Sequence, residues 1–343
     1  MRHLLNTLYV TTQGTYLARE RETVVVRVER QTKLRVPIHT LESIICFGRV
    51  GCSPALLGLC GQRGVAVSFC SLYGRFLARV QGRVSGNVLL RRTQYRWADD
   101  EGRTADIARS VVSAKIANSR TVLLRGAREG ADAEACAALT EAARHMAGLA
   151  EQLPAAQCVD TVRGVEGEAA RTYFGVFGHL VTAQKDEFYL AGRNRRPPRD
   201  NMNALLSFLY TLLAGNVAAA LETVGLDPQV GYLHRDRPGR QGLALDLMEE
   251  FRPVLADRLA LSLVNRRQVS GEGFTVSESG AVMMDDKTRK TVLTAWQTRK
   301  RDEIRHPFLE EKVALGLVPY VQALLLARYV RGDLDAYPSF FWK

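Results

Sequence analysis

The stretch Gly82-Arg83-Val84-Ser85-Gly86-Asn87 separates two kinds of sequence. Two glycines and a serine within six residues interrupt every periodicity around them, so a domain boundary is expected near residue 85. Upstream, Leu8-Tyr9-Val10-Thr11-Thr12, Val24-Val25-Val26-Arg27-Val28, residues 41–47, Val65-Ala66-Val67-Ser68-Phe69 and Phe76-Leu77-Ala78-Arg79-Val80 are β-branched or aromatic runs. Gly14, Gly48, Gly51, Gly64 and Gly74 punctuate them, which is the pattern of short strands. Residues 53–60 read as one small helix, with Ser53 as N-cap and Pro54 at the first helical position. Downstream the period changes to 3.6, and helices are expected at about 87–97, 103–123, 133–151, 166–181, 201–224, 243–264, 286–304 and 311–331. The expected fold is α+β: a β-sandwich-like domain over 1–85, then a larger all-α domain over 86–343.

The chain has 343 residues, of which 46% are hydrophobic and 24% charged, as in an ordinary globular protein. No run of 18 or more apolar residues appears and no signal peptide is recognised at the N-terminus, so a cytoplasmic protein without a membrane span is expected. The six cysteines contain no C-x-x-C pair and mostly sit among apolar residues, which favours buried reduced thiols over disulfides or zinc. Lys and Arg exceed Asp and Glu by 47 to 36, a net charge of +11. Such an excess favours a polyanionic partner, because each phosphate contact releases counterions.

Three downstream segments carry candidate chemistry. In Gly164-Val165-Glu166-Gly167-Glu168-Ala169-Ala170-Arg171-Thr172-Tyr173-Phe174, Glu166 shares a helical face with Ala170, Tyr173, Phe174 and Phe177. Either it complements the dipole of a first turn, or it is a carboxylate held toward the interior. In Gly231-Tyr232-Leu233-His234-Arg235-Asp236-Arg237-Pro238-Gly239-Arg240, His234 stands in a polar loop with Arg235, Arg237 and Arg240, a setting suited to phosphate. In Leu243-Ala244-Leu245-Asp246-Leu247-Met248-Glu249-Glu250-Phe251-Arg252-Pro253, Asp246 and Glu249 are one turn apart. Two like charges on one helical face are unfavourable without a nearby cation, and Pro253 disturbs the turn that carries Glu249. Two carboxylates and an imidazole suit Mg²⁺ or Mn²⁺, which polarise a phosphoryl group and stabilise a leaving alkoxide. No P-loop, H-E-x-x-H, G-x-S-x-G or Rossmann fingerprint competes. The residues alone point to metal-assisted phosphodiester chemistry.

Glu166-Gly167-x-Ala169-Ala170-Arg171-x-Tyr173-Phe174, Arg199-Asp200-x-x-Asn203-Ala204-Leu205-Leu206-Ser207-Phe208-x-Tyr210, Gly231-Tyr232-Leu233-His234 and Leu243-Ala244-x-Asp246-Leu247-Met248-Glu249-x-Phe251-Arg252-Pro253 run in the order of a known family. Together they resemble the CRISPR adaptation integrase, the universal CRISPR-associated endonuclease of spacer acquisition. The closing Tyr337-Pro338-Ser339-Phe340-Phe341-Trp342-Lys343 is similar to endings of its type I-C branch. The resemblance implies a homodimer with a β-rich N-terminal domain, joined to a small CRISPR-associated partner dimer on DNA. It implies Glu166, His234 and Glu249 as catalytic metal ligands, with Asp246 outside the first coordination sphere or as alternate ligand, since many relatives carry Asp at the position of Glu249. The implied reaction is transesterification, in which a 3′-hydroxyl of a captured fragment (the prespacer) attacks a phosphodiester at a CRISPR repeat.

Further DNA contacts are expected from Arg235, Arg237 and Arg240. A stripe of Lys287, Lys290 and Arg301 with Trp296 nearby is a second candidate, and Arg91 and Arg92 a third. The loop 184–200, with two prolines and four arginines, is either a solvated connector or a phosphate-gripping segment. Two rival functions use the same residues: a structure-selective metal-dependent nuclease that employs water, and a non-enzymatic DNA-binding module.

Overall fold

The computed structural model describes residues 7–72, 76–80, 82, 88–130, 132–190, 192–194 and 197–342. The expected boundary near residue 85, the first six residues, Gly74, Lys343, and Arg195 and Arg196 of the candidate phosphate loop lie outside these residues. The chain divides into two compact units, Met1–Ser85 with Met284–Arg301, and Gly86–Met283 with Asp302–Lys343.

The first unit holds eight strands: β1 Thr7–Val10, β2 Thr15–Glu20, β3 Thr23–Val28, β4 Gln31–Pro37, β5 Ser43–Phe47, β6 Val50–Cys52, β7 Ala66–Cys70 and β8 Phe76–Val80. They form two four-stranded sheets, ordered β1-β5-β7-β8 and β4-β3-β2-β6. Parallel pairs β1/β5, β5/β7 and β2/β6 mix with antiparallel ones, so neither sheet is a simple meander. The core joins Val10, Ile44, Cys46 and Val67 of one sheet to Leu17, Val24 and Val26 of the other. Helix α1, Pro54–Arg63, adds Leu56, Leu59 and Cys60. It begins as the sequence indicates, with Ser53 Oγ accepting from Leu56 N at 3.2 Å and Gly64 closing it at φ +69°. Strands β2, β4 and β6 were not expected from the sequence; Arg, Glu, Lys and Gln break the apolar alternation of β2 and β4, and β6 is only three residues long. All six cysteines are free, and Cys158 is exposed rather than buried.

The second unit contains α2 Val88–Ala98, α3 Glu101–Glu129, α4 Ala133–Gln152, α5 Val159–Val176, α6 Asn201–Val224, α7 Gly242–Met248, a π-helical turn Arg252–Asp257 and α8 Arg258–Asn265. The helix expected at 243–264 is thus broken in the middle, where Pro253 cannot donate to the carbonyl of Glu249. Helix α6 has the length and apolarity of a membrane span, but its residues are largely buried in this unit, as in a core helix. This unit also carries two short ribbons, β9 Phe274–Val276 with β10 Val282–Met284, and β11 Glu303–Arg305 with β12 Lys312–Ala314. No helical period announces either.

Helix α9, Asp286–Arg301, belongs to the first unit, although the linear boundary placed it with the helical domain. Lys287, Lys290 and Arg301 are exposed on it, whereas Trp296 is 1% exposed and faces inward. Trp296 is therefore not part of an exposed basic stripe. Lys300 is buried too, with Nζ 2.9 Å from Glu42 Oε2 at the start of β5. The last helix, α10 Val318–Arg331, begins later than its apolar pattern suggests, because Pro319 sets its first turn. We expect Trp296→Ala to lower the stability of the first unit by about 3–5 kcal/mol through cavity formation, measured as a fall in the urea midpoint.

Candidate active site

A lysine organises the interior of the second unit. Lys115 lies midway along α3, flanked at helical spacing by buried Val111, Val112, Asn118 and Ser119. Its ammonium pairs with Glu166 of α5 and approaches Glu249 Oε2 to 2.7 Å. Arg252 supplies a second cation, with Nη1 2.7 Å from Glu249 Oε1. Burial opposes ionisation of Glu249, but Arg252, Lys115 and His234 outweigh it and hold the carboxyl down at about 2. Burial likewise opposes the charge on Lys115, and Glu249 and Glu166 reverse it, so the ammonium is stabilised. Both glutamates thus face one another across a cation. Glu166 is the eighth residue of α5 and not in its first turn, because the helix starts at Val159; dipole complementation does not explain it.

His234 comes from a loop that two glycines fold onto the start of α7. A Cβ on Gly231 would stand 2.6 Å from Gly242 C and 2.7 Å from Asp246 Oδ2, and one on Gly242 would stand 2.7 Å from Gln229 O. Only glycine fits either place. The close approach lets Asp246 cap the loop: Oδ2 accepts from Tyr232 N at 2.6 Å and Leu233 N at 2.9 Å. Oδ1 accepts from His234 N at 2.9 Å and from His234 Nδ1 at 2.7 Å. Four donors occupy this carboxylate. Because a carboxylate only accepts, Nδ1 is the donor to Asp246, which leaves Nε2 as the ring nitrogen not engaged by it.

Behind the cations lies a buried carboxylate that sequence reasoning missed. Asp257 accepts from Tyr210 Oη at 2.6 Å and Tyr173 Oη at 3.1 Å. The guanidinium of Arg252 sits 4.8 Å from the Tyr210 ring centre, and that of Arg193 at 5.1 Å. Arg193 also donates to Asn203 Oδ1, whose amide nitrogen donates to Gly192 O and Asp200 Oδ2. The Asp200–Asn203 motif is therefore a helix cap that turns the 192–200 loop inward, and of the loop's four arginines Arg199 is exposed while Arg193 is not. Arg235 and Arg237 are exposed and Arg240 half-buried in the 234–240 loop, Arg235 pairing with Asp160 at 3.1 Å. Arg91 is committed to Gly225 O at 3.1 Å.

Among the described residues no three His, Cys, Asp or Glu side chains are gathered closely enough to hold an ion as they stand. Glu166 and Glu249 meet through Lys115, and His234 meets Asp246. The donor set nonetheless fits a hard divalent cation: two carboxylates and an imidazole whose Nε2 is not engaged by Asp246. Lys115 was legible as a single charge within the apolar stripe of α3; Arg252 and Asp257 lay in a segment whose geometry the π-turn sets.

The profile described as CRISPR associated protein Cas1 matches residues 8–298. The chain belongs to the Cas1 family. It is 52% identical over 343 residues to "CRISPR-associated endonuclease Cas1 1" of Chlorobaculum tepidum, covering 100% of both chains. It is 54% identical over 347 residues to "CRISPR-associated endonuclease Cas1 2" of Rhodospirillum rubrum, again covering 100% of both. The fold is that of a CAS1 protein from Thermotoga maritima, with a TM-score of 0.82, 24% identity and 95% and 97% of the two chains covered. It is also that of a casposase bound to its integration product, with a TM-score of 0.83, 20% identity and 98% and 94% covered.

Asp257 yields a prediction with a definite sign. Burial lifts it from 3.8 to about 6 against the pull of Tyr210, Tyr173 and Arg252. A raised folded value means its contribution to stability is complete below the unfolded value and is lost as pH rises through about 6. Asp257→Asn should therefore gain stability over the parent at pH 8 relative to pH 4, by on the order of 1–3 kcal/mol, in urea unfolding at the two pH values.

Proposed function

We propose that this chain is a metal-dependent DNA endonuclease and integrase that inserts captured DNA fragments into a CRISPR array by transesterification. The single observation that carries the chemistry is the convergence of two carboxylates, half-buried Glu166 and fully buried Glu249, on one lysine, beside an imidazole whose Nε2 is left free by Asp246. The names of the curated relatives and the casposase neighbour supply the nucleic-acid context.

Glu166, Glu249 and His234 Nε2 would hold Mg²⁺ or Mn²⁺. Asp246 is better suited to orient His234 than to coordinate, because four donors already occupy its oxygens. When bound, such an ion supplies Lewis acidity toward the scissile phosphate and stabilises the leaving 3′-alkoxide. In strand transfer a 3′-hydroxyl oxygen forms the new P–O bond as the old P–O bond breaks. The hydroxyl loses its proton, and the departing alkoxide gains one. Lys115 pairs with both glutamates and Arg252 with Glu249, which holds the two carboxylates turned toward each other. Arg235, Arg237 and Arg240 lie beside His234 on one loop and would meet DNA phosphates; exposed Lys287, Lys290 and Arg301 of α9 offer a separate basic face on the first unit.

The setting proposed with this reading is a homodimer acting in the cytoplasm with a small CRISPR-associated partner dimer on prespacer and repeat DNA. Structural neighbours described as a Cas6-RT-Cas1--Cas2 complex and a partial Cas6-RT-Cas1--Cas2 complex support Cas2 as the partner in this reading.

Two variants test the reading on a repeat-bearing supercoiled plasmid mixed with short duplex and Mn²⁺. His234→Ala is expected to abolish covalent joining while DNA affinity in EDTA stays within about twofold, since phosphate contacts dominate binding. Normal joining by that variant contradicts the site, and nicking by the parent without joined product assigns water as nucleophile instead. Asp246→Asn is expected to weaken Mn²⁺ binding by about 10- to 100-fold, read by calorimetric titration, because one of the two oxygens that serve four donors becomes an NH₂ that cannot accept, and the hold on the imidazole is weakened.

A further inference from the structure

Glu249 is followed by a second buried carboxylate for which the proposed reaction has no use. Both stand in the turn at 249–251, after the last residue of α7 and before the π-helical turn, where no regular α-helical ladder fixes the backbone. Glu249 meets Lys115 and Arg252, whereas Glu250 meets the segment 337–342. The Tyr337 hydroxyl donates to Glu250 Oε1 at 2.8 Å, and Phe340 N donates to Oε2 at 2.8 Å. Gln322 of α10 donates to the same Oε2 at 3.2 Å, to Tyr337 Oη at 2.9 Å and to Pro338 O at 3.0 Å.

A second clamp comes from α3, three residues beyond Lys115. Asn118 Nδ2 donates to Glu250 O and to Phe340 O, both at 2.8 Å, and Asn118 Oδ1 accepts from Trp342 N at 2.7 Å. Arg258 stacks on the Trp342 ring at 4.3 Å. Glu250, Asn118, Gln322 and His306 are each fully buried, and His306 Nε2 donates to Gln322 Oε1 at 3.0 Å. A buried carboxylate is an expensive way to fill space, and an apolar side chain of equal size would pack there at lower cost. What the carboxylate adds is direction: three donors from two other segments fix one rotamer and, with Asn118, one position of the Glu250 peptide.

We infer that Glu250 and Asn118 are positioning residues for the active site. They bind the 249–251 turn and the Lys115 stretch of α3 to the segment 337–342, so that the neighbouring Glu249 carboxylate stays turned toward Glu166 and His234. The inference rests on the reading of Glu249 as a metal ligand.

The test compares Glu250→Ala, Glu250→Gln and Tyr337→Phe in the full chain, reading Mn²⁺ affinity without DNA by calorimetric titration beside joining activity. Glu250→Ala is expected to weaken Mn²⁺ binding by about 10-fold, the effect of removing an outer group that orients a ligand. Glu250→Gln keeps an acceptor for Phe340 N and should stay within about threefold of the parent, as should Tyr337→Phe, which removes one hydrogen bond yet lowers affinity measurably. DNA affinity in EDTA should be the same for all four proteins. Parent-like Mn²⁺ affinity in Glu250→Ala, or a Gln variant no better than Ala, overturns the inference. Should the Ala variant fail to fold, Tyr337→Phe decides, and Mn²⁺ affinity equal to the parent's in that variant overturns it. Failure of the metal reading looks different: the parent itself then binds no Mn²⁺, or His234→Ala binds Mn²⁺ as tightly as the parent.

Discussion

The helical unit depends on gathering two carboxylates, Glu249 fully buried and Glu166 half-buried, against shared cations. A buried carboxylate tolerates ionisation only where a cation or several hydrogen-bond donors lie against it. Glu166 and Glu249 are balanced by Lys115 and Arg252, two acids against two bases within one cluster. The balance ties α3, α5 and the turn after α7 to one another, because removing any one member leaves an opposite charge stranded. Asp246 and Asp257 use the other solution. One accepts four donors from the 232–234 loop, and the other takes two tyrosine hydroxyls and gives up part of its acidity. The six residues set the geometry around which the apolar residues of α3, α5 and α6 pack.

The backbone is shaped to the same end. Gly231 and Gly242 allow two backbone segments to touch, and that contact brings the Asp246 carboxylate under three consecutive amides. His234 is then fixed by both its backbone and its ring. The π-helical turn after Phe251 carries Arg252 and Asp257 into the interior, where a continuous α-helix from 243 to 264 would space them differently. Such turns recur at functional sites because they re-aim side chains without breaking the helix that follows.

Much of this was legible in the residues, and the gaps have physical causes. The change of period near residue 85, the Ser53 cap and the stripe of α5 follow from local rules of spacing and capping. Glu166, His234, Asp246 and Glu249 stood out as polar groups set among apolar ones. What single-sequence patterns could not carry was long-range. Strands β2, β4 and β6 owe their state to pairing partners; charged residues hide the alternation of β2 and β4, and β6 is too short to show one. The return of α9 to the first unit is a tertiary contact made through Trp296 and Lys300. Lys115 interrupts the apolar stripe of α3, but the carboxylates it serves come from α5 and the turn after α7, which only the tertiary fold brings to it. Trp296, an aromatic beside lysines in sequence, turned out to be core.

The central claim is that Glu166, Glu249 and His234 form a site for a divalent cation, with Asp246 holding the histidine from behind. Crystals soaked in Mn²⁺ and measured at the manganese absorption edge test it most directly. The account predicts one anomalous peak within about 2.0–2.4 Å of a Glu166 oxygen, a Glu249 oxygen and His234 Nε2, with Asp246 still bonded to Nδ1. A peak coordinated by Asp246 instead of Glu249, or the absence of any peak among the three residues at saturating Mn²⁺, would contradict it.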